Sequence, residues 1–179
     1  YFALKQLGDS PDAPHMVKAR EFILDHGGAA KVNVFSRFTL ALFGQIPWRT
    51  TPAMPIEIML LPKWFFFHLQ KVSYWSRTVI VPLLIHNTRQ PVCHLSPAEG
   101  IPELFLEPPR ELRHLDHLIP RNLTKNLFIF LDRILKTVDA IIPSTTREKA
   151  TKLAESWTVE RMQGEGGIGA IFPAMANAV

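Results

Sequence analysis

The chain has 179 residues, 47% of them hydrophobic, which is enough to bury a core of its own. Twenty Lys and Arg against sixteen Asp and Glu give a net charge of +4, but the basic residues are scattered rather than alternating with exposed aromatics, which disfavours a nucleic-acid partner. The single cysteine, Cys93, excludes an internal disulfide and disfavours a cysteine-based metal site, as expected of a reducing, cytoplasmic setting.

The sequence contains neither a membrane-spanning run nor a secretion signal. No segment reaches about 18 uninterrupted apolar residues, and the first residues lack the pattern of a signal peptide, so an ordinary transmembrane protein is not predicted. The stretch "YFALKQLG" begins inside an amphipathic pattern and "PAMANAV" opens a helix that reaches no cap. We therefore expect a fragment of a longer protein.

Three helices are predicted in the first quarter of the chain. The first ends at Gly8. The second has Asp12 as a candidate N-cap, Pro14 in its first turn and a stop at Gly27 and Gly28. The third lies in "AKVNVFSRFTLALFG" and ends at Gly44. Its predicted buried stripe consists of Val34, Phe35, Phe38 and Leu42.

Prolines dominate the next segment, from Ile46 to Pro62. Only "PIEIMLL" can form a short helix there, begun by Pro55 and ended by Pro62. The aromatic segment 64–67 is too apolar for a flexible linker. Residues 69–88 are predicted to form a long buried helix, since their length exceeds that of a normal strand, with a kink or a new turn at Pro82.

After a Pro-rich surface connection, predicted over 90–120, "RNLTKNLFIFLDRILKTVDAIIP" has helical spacing and stops at Pro143. Asp132, Lys136 and Asp139 mark its polar face. Its apolar face, which suits either a membrane surface or a protein core, carries Leu127, Phe128, Leu131, Leu135, Val138 and Ile142.

The last helix is predicted to begin with a capping box of Thr145 and Glu148. Its apolar positions are Ala150, Leu153, Trp157 and Met162. Its helix-to-glycine ending resembles that of "VKAREFILDHGG", which suggests helical hairpins built on one plan. No convincing strand is present, so the predicted class is all-α.

Two stretches imitate ligand sites without meeting their requirements. His114, Asp116 and His117, with Cys93 and His94 upstream, loosely resemble a metal set, but they lie in a Pro-rich loop with no framework, and no metal is predicted. The glycines of "GEGGIGAIFPAM" follow a helix rather than a strand, and no G-x-G-x-x-G motif or Walker lysine is present, so a tight turn is predicted.

Catalytic motifs are also missing from the chain. There is no Ser or Cys nucleophile elbow, no paired-carboxylate motif and no H-E-x-x-H, and Glu57 and Arg77 are interpreted as a buried polar pair or as separately satisfied groups. Trp75 is either a core aromatic or a π-face in a cavity, where it would stabilise a cation by about 2 kcal/mol or more once water is excluded. The sequence pattern leaves both roles open.

Four ordered blocks, "KVNVFSRFTLALFGQIPW", "PAMPIEIMLLPKW", "VSYWSRTVIVPL" and "GEGGIGAIFPAMANAV", resemble the squalene-hopene cyclases, the bacterial class of triterpene cyclases. The resemblance implies a cofactor-free enzyme of two α-α barrel domains, bound monotopically to the cytoplasmic face of the bacterial membrane and compatible with a homodimer. Such an enzyme protonates squalene and guides a carbocation cascade to hopene or hopanol.

Residues 1–179 would then be a partial N-terminal-type barrel domain, most of the smaller barrel. The proton-donating D-x-D-D motif of the family belongs to the other domain and is absent here, so no catalytic residue is expected in this segment, which should be inactive alone. An apolar cavity with π-faces and no nucleophiles suits transient carbocations.

The resemblance assigns cavity and channel positions residue by residue. Trp75 matches a cavity tryptophan that faces the substrate, and Ile171 and Pro173 match a loop lining the same cavity. Val72 and Ile80 match positions near the channel constriction. Phe172, also expected against the substrate, stands where some members carry a glutamine associated with ordered water, which leaves the hopene-to-hopanol ratio open.

The family's repeat motif is degenerate in this chain. Met162 replaces its glutamine and Ile168 its tryptophan, so the usual stacking of Gln on Trp cannot form. A non-enzymatic helical domain that binds a membrane or a partner is the alternative function.

Overall fold

Helices make up the regular structure of the protein in this computed structural model. The structure describes residues 1–66, 68–112, 123–139, 141–162, 164 and 167–168. Within these ranges there are six α-helices, five short 3₁₀ helices and no strand, and the sole β-type pairing is an isolated antiparallel bridge between Met162 and Ile168. The predicted all-α class is confirmed, whereas closure into an α-α barrel stays a prediction.

The chain divides into two compact units. The first combines Tyr1–Pro52 with Pro91–His117, and the second combines Ala53–Gln90 with Leu118–Val179. The α-helices of the first unit are α1 (Phe2–Gln6), α2 (Pro14–Asp25) and α3 (Val34–Leu42). Its 3₁₀ helices are Ala29–Lys31, Trp48–Thr50 and Pro102–Leu104.

Helices α2 and α3 begin in two different ways, one with a proline and one with a side-chain cap. Pro14 occupies the first turn of α2, as predicted, but the N-cap is Ala13 and no side chain caps the helix, so the assignment of Asp12 is wrong. A proline at N1 has no N–H, so the first turn of α2 contains one unpaired donor fewer. For α3 the cap is Asn33, whose Oδ1 accepts the Ser36 N–H at 2.9 Å.

The core of the first unit draws on a segment that we expected to lie on the surface. Ile101 and Leu104 are buried, although they belong to the predicted surface connection. The backbone at Gly28 has a φ of +73°, and a Cβ there would come within 2.9 Å of the Leu104 carbonyl oxygen. Glycine therefore lets the end of α2 pack directly on the 3₁₀ helix Pro102–Leu104.

On α3 the predicted stripe is only partly buried. Phe38 is inside, together with Leu40 and Ala41, whereas Val34 and Phe35 of the predicted stripe are exposed. Both exposed residues belong to the first turn of α3, so helical spacing alone overestimated the buried area.

The second unit contains the 3₁₀ helices Ile56–Leu60 and Leu69–Lys71 and the helices α4 (Tyr74–Arg89), α5 (Leu123–Asp139) and α6 (Ser144–Val159). Helix α6 packs against both α4 and Ile56–Leu60. The buried cluster at this junction consists of Ile56, Leu69, Val81, Leu84, Ala150 and Ala154. Two alanines on α6 allow close approach of the neighbouring elements, because their side chains end at Cβ.

Helix α4 is shorter than the predicted long helix over 69–88. A 3₁₀ turn, Leu69–Lys71, precedes it, and Ser73 caps its start by accepting the Ser76 N–H at 3.2 Å. The cap fixes the helix start four residues after Leu69. Pro82 is buried within α4, which continues to Arg89. Pro82 has no N–H to donate to the carbonyl of Thr78, so the helix contains one hydrogen bond fewer at that point.

Helix α6 begins without the predicted capping box. Its N-cap is Pro143 and no side chain caps it, because Thr145 already lies inside the helix. The side chain of Leu153, predicted to be in the apolar stripe, is exposed. The interior face of α6 is instead set by Ala150 and Ala154, small residues that a hydropathy pattern underweights.

Candidate functional site

Trp75 lies in the first turn of α4 and is 56% exposed. The turn is fixed on both sides, since Ser73 caps it and the Thr78 hydroxyl donates to the Trp75 carbonyl at 2.7 Å. The indole packs edge to face on Tyr74, with 5.9 Å between ring centroids. The ring is thus held on a rigid helix start with much of its π-face accessible, an arrangement that suits contact with a cation.

The two residues assigned to the channel differ in their surroundings. Val72 is half-buried and lies between the 3₁₀ turn Leu69–Lys71 and α4. Ile80 is also half-buried, but it packs against the hydrophobic cluster of the second unit. Ile80 therefore supports the core on one side, and only its remaining surface is available to a channel.

Arg77 lies on the same face of α4 as Tyr74 and follows it by about one helical turn. Its guanidinium carbon is 5.9 Å from the centroid of the Tyr74 ring. Its Nε is buried and has no hydrogen-bond partner within the described part of the chain. Of the two interpretations of Glu57 and Arg77, the mutual pair is excluded for the bound oxygen of Glu57, because its carboxylate binds Arg147 of α6, with 3.1 Å between Oε1 and Nε.

The third assigned group, Ile171, Phe172 and Pro173, lies outside the described residues, as do His114, Asp116 and His117 of the metal-like stretch. At the degenerate repeat motif, Met162 and Ile168 are joined by the isolated β-bridge, and Gly164 and Gly167 have positive φ values. The glycines thus allow a tight turn after α6, as predicted.

A different cation–aromatic pair lies next to that turn. The guanidinium carbon of Arg161 is 4.3 Å from the centroid of the Trp157 ring, and its Nη1 donates to the Trp157 carbonyl at 3.0 Å. This stacking contact lies one residue before the Met162 bridge, at the end of α6. The sequence indicated the loss of the Gln–Trp stack but gave no sign of this arginine pair.

Helix α5 exposes its apolar face. Asp132, which we placed on the polar face, is only 8% exposed. The side chains described as exposed on this helix include the apolar stripe Leu127, Phe130, Leu131, Ile134 and Leu135. Their spacing of three and four residues places them on one side of the helix. Of the predicted apolar face, Leu127, Leu131 and Leu135 are directed outward, and Asp132 of the predicted polar face is directed inward. The side chains of Phe128, Val138 and Asp139 lie outside the described part of the chain.

A second exposed apolar feature, which the sequence did not indicate, is the loop after the 3₁₀ helix Ile56–Leu60. Trp64 and Phe66 are 79% and 78% exposed. The segment is dense in aromatics, and hydropathy alone suggests burial for such residues. Only the surrounding structure shows which aromatic side chains are left outside.

Neither a membrane-crossing helix nor a metal-binding cluster occurs among the residues that the structure describes. No helix in these ranges is long and apolar enough to cross a bilayer. No group of three or more His, Cys, Asp or Glu side chains in the same ranges is arranged to hold a metal ion. Cys93 is exposed.

Comparison with known proteins identifies the family. The chain is 47% identical over 180 residues to the squalene–hopene cyclase of Bradyrhizobium diazoefficiens and 45% identical over 179 residues to that of Zymomonas mobilis. It is 33% identical over 181 residues to the dammaradiene synthase of Dryopteris crassirhizoma. Each match covers all of this chain but only 27%, 27% and 26% of the relative, respectively.

The chain therefore spans about a quarter of the length of these relatives. A family model described as the squalene-hopene cyclase N-terminal domain matches residues 1–179. With the match extending over the whole chain, the protein belongs to the squalene-hopene cyclase N-terminal domain family.

Proposed function

We propose that this chain is part of a squalene-hopene cyclase that converts squalene to hopene or hopanol through a proton-initiated carbocation cascade. The observation that carries the proposal is the match of the family model to the entire chain, supported by relatives that bear this name. The enzyme is an intramolecular transferase, or isomerase, without a cofactor. Its N-terminal portion contributes cavity wall and channel, as a partial α-α barrel over residues 1–179.

The proton donor in this proposal lies outside the chain. These 179 residues contain no D-x-D-D sequence, and Asp132, the buried aspartate of α5, is engaged by the backbone of Ala53. Protonation of an alkene needs an acid positioned on the substrate. The Asp132 carboxylate is instead hydrogen-bonded to the backbone at Ala53 and lies 3.6 Å from Lys136 Nζ. The described residues thus suit binding and shaping of the hydrocarbon.

Trp75 provides the π-face of the proposed cavity. The exposure of its ring on a capped helix start supports contact with a developing cation, since an indole stabilises positive charge without forming a bond to it. Ile171, Phe172 and Pro173 are proposed as further contacts with squalene, and Val72 and Ile80 as residues near the channel constriction.

Helix α5 supports a proposed monotopic association with the cytoplasmic face of the bacterial membrane. Its apolar stripe faces outward, and Arg133 is exposed on the same helix. An amphipathic helix of this kind can lie in the interface of a bilayer with its apolar side among the acyl chains. A hydrocarbon substrate dissolved in the bilayer would then reach the enzyme without crossing water. A homodimer is also proposed.

A product assay on the full-length protein tests the proposal. The complete reading frame should contain a D-x-D-D motif, and the purified protein incubated with squalene should yield hopene or hopanol in gas chromatography. Replacing the first aspartate of that motif with Asn provides the inactive control. A full-length protein that binds lipid vesicles and leaves squalene unchanged would instead favour a non-enzymatic membrane-binding domain.

A further inference from the structure

Residues 63–66, here called the aromatic loop, expose two large aromatic side chains to solvent. Trp64 and Phe66 are 79% and 78% exposed although they lie only two residues apart. A single exposed aromatic is common on proteins, but two exposed aromatics on one short turn mark a contact surface.

The conformation of the aromatic loop is stabilised by contacts within the loop and with Pro62 and Lys71. The Phe65 N–H donates to the Pro62 carbonyl at 2.9 Å, and Phe65 packs edge to face on Trp64 with 6.0 Å between ring centroids. Lys71 Nζ lies 3.5 Å from the Trp64 carbonyl oxygen, and the neighbouring Leu69 is buried in the core of the second unit. The two exposed rings are thus presented by a turn that is anchored to the core.

The charged side chains that flank the loop in the sequence are basic. Lys63 and Lys71 are exposed, and there is no Asp or Glu between Glu57 and Glu99. The acid on the N-terminal side, Glu57, is bound to Arg147. Tryptophan flanked by lysine is the combination found where proteins meet the headgroup region of a membrane, because the ring is amphipathic and the ammonium binds phosphate.

We propose that the aromatic loop, with Lys71, is an interfacial anchor that docks on a bilayer containing anionic phospholipids. Trp64 and Phe66 insert at the level of the headgroups, and Lys63 and Lys71 contact lipid phosphates. The inference rests on the proposed membrane association and adds to it a second contact site and a preference for negative lipids. The aromatic loop and α5 then contribute separately to membrane binding. The loop contributes aromatic and electrostatic contacts, and α5 contributes aliphatic contacts.

Vesicle binding by the full-length protein tests this anchor. Co-sedimentation is measured with phosphatidylcholine vesicles, with and without phosphatidylglycerol, for the parent, Trp64→Ser/Phe66→Ser and Lys63→Glu/Lys71→Glu. We expect the aromatic variant to bind both vesicle types more weakly. The lysine variant should lose binding by about 25-fold or more on anionic vesicles, at about fivefold for each lysine, and change little on neutral ones.

Matched substitutions elsewhere control for general surface effects. Phe22→Ser removes an exposed aromatic of the first unit, and Lys152→Glu reverses an exposed lysine of α6. Both should bind like the parent. Quenching by brominated lipids gives a second readout, because Trp64→Phe should lose a larger share of quenchable fluorescence than Trp157→Phe, whose ring is covered by Arg161.

A third variant separates this inference from the proposed membrane association. Leu127→Ser/Leu131→Ser/Leu135→Ser makes the exposed face of α5 polar. If it abolishes binding while the loop variants bind like the parent, the anchor is overturned and the membrane association stands. If only the loop variants lose binding, the anchor is supported and docking through α5 fails. Loop variants that lower the melting temperature or change the oligomeric state without affecting vesicle binding would also overturn the anchor.

Discussion

Asp132 on α5 accepts a hydrogen bond from the backbone N–H of Ala53, with 2.5 Å between Oδ1 and N. This contact joins the middle of α5 to the chain just before the 3₁₀ helix Ile56–Leu60. Because the carboxylate is turned inward, the leucines at 131 and 135 are left on the outer surface. One polar contact therefore helps to decide which face of an amphipathic helix meets its surroundings.

Replacing Asp132 tests its anchoring role. Asp132→Leu leaves the Ala53 N–H without its acceptor and should cost about 1–3 kcal/mol in local stability, because an unsatisfied buried donor loses its hydration without compensation. Hydrogen exchange of peptides covering 53–60, followed by mass spectrometry on the full-length protein, reports the loss. Asp132→Asn keeps an Oδ1 acceptor and should retain most of the protection. Equal hydrogen-exchange protection in Asp132→Leu and the parent would contradict a stabilising role of the hydrogen bond between Asp132 and Ala53.

The ion pair between Glu57 and Arg147 gives a second stability prediction. Its side chains are 15% and 30% exposed, and it connects Ile56–Leu60 to α6. Arg147→Met should destabilise this junction by about 1–3 kcal/mol, because a largely buried carboxylate is left behind. Glu57→Gln/Arg147→Met should cost less than the sum of the single changes.

Native-state hydrogen exchange at residues 56–60 measures this coupling. The control is Lys152→Met, which breaks the exposed pair of Lys152 with Glu148 on the same helix. An exposed pair contributes about 0–1 kcal/mol, so this variant should match the parent closely. Additive effects of the Glu57 and Arg147 substitutions would contradict a direct interaction between them.

Trp75 yields a functional prediction for the full-length enzyme. Trp75→Ala should slow cyclisation by about 30-fold, or divert it to incompletely cyclised products, because about 2 kcal/mol of cation–π stabilisation is lost. Trp75→Phe keeps an aromatic face and should retain more of the parental product profile. Gas chromatography of the products, with Phe22→Ala as a control for an exposed ring elsewhere, provides the measurement. A parental profile in Trp75→Ala would reduce Trp75 to a packing residue.

The contact between α1 and the 3₁₀ helix Pro102–Leu104 should depend on pH. Burial raises the pKa of the Glu103 carboxyl, but hydrogen bonds from Lys5, from the backbone and from Tyr1, together with the Lys5 charge, outweigh it and leave the pKa below its usual range. The Lys5 Nζ lies 2.6 Å from Glu103 Oε1. A pKa that is lower in the folded state stabilises the contact above the unfolded value, about 4.3, and this stability is lost as the pH falls through the folded value.

Hydrogen exchange of peptides covering α1, measured between neutral pH and pH 3 and corrected for intrinsic exchange, checks this dependence. Protection should decrease at the acidic end in the parent. Glu103→Gln has no titrating carboxyl, so its protection at neutral pH should already be reduced and should vary less with pH. If Glu103→Gln lost as much protection at low pH as the parent, the pH dependence would have to come from other titrating groups.

The sequence predicted helix boundaries reliably where proline or glycine sets the backbone conformation. Pro14 in a first turn and the glycines after α2 and α6 marked helix boundaries. Proline fixes φ and glycine readily adopts positive φ, and both properties hold in any environment. Side-chain caps were less predictable. Asp12 and Thr145 have the right chemistry for capping, but each lies two residues from a proline that marks the actual start. Pro14 is the first residue of α2, and Pro143 is the N-cap of α6.

Burial of individual side chains was the weakest part of the prediction. Phe35 and Leu153, which we placed on apolar stripes, are exposed, whereas Asp132, which we placed on a polar face, is buried. Helical periodicity states which residues share a face, but not what lies opposite that face. The same reason explains why the sequence left open whether Glu57 pairs with Arg77. The actual partner of Glu57, Arg147, is 90 residues away in the chain and reaches Glu57 only through the packing of α6.

The sequence by itself determined the helical class, the positions of most helices and membership of the squalene-hopene cyclase family, because periodicity, proline and glycine constraints and ordered motifs are properties of the chain. Only the tertiary structure decided that the apolar side of α5 and the rings of Trp64 and Phe66 face outward. Exposure depends on which elements pack together, and that is fixed by contacts between distant segments such as Asp132 with Ala53.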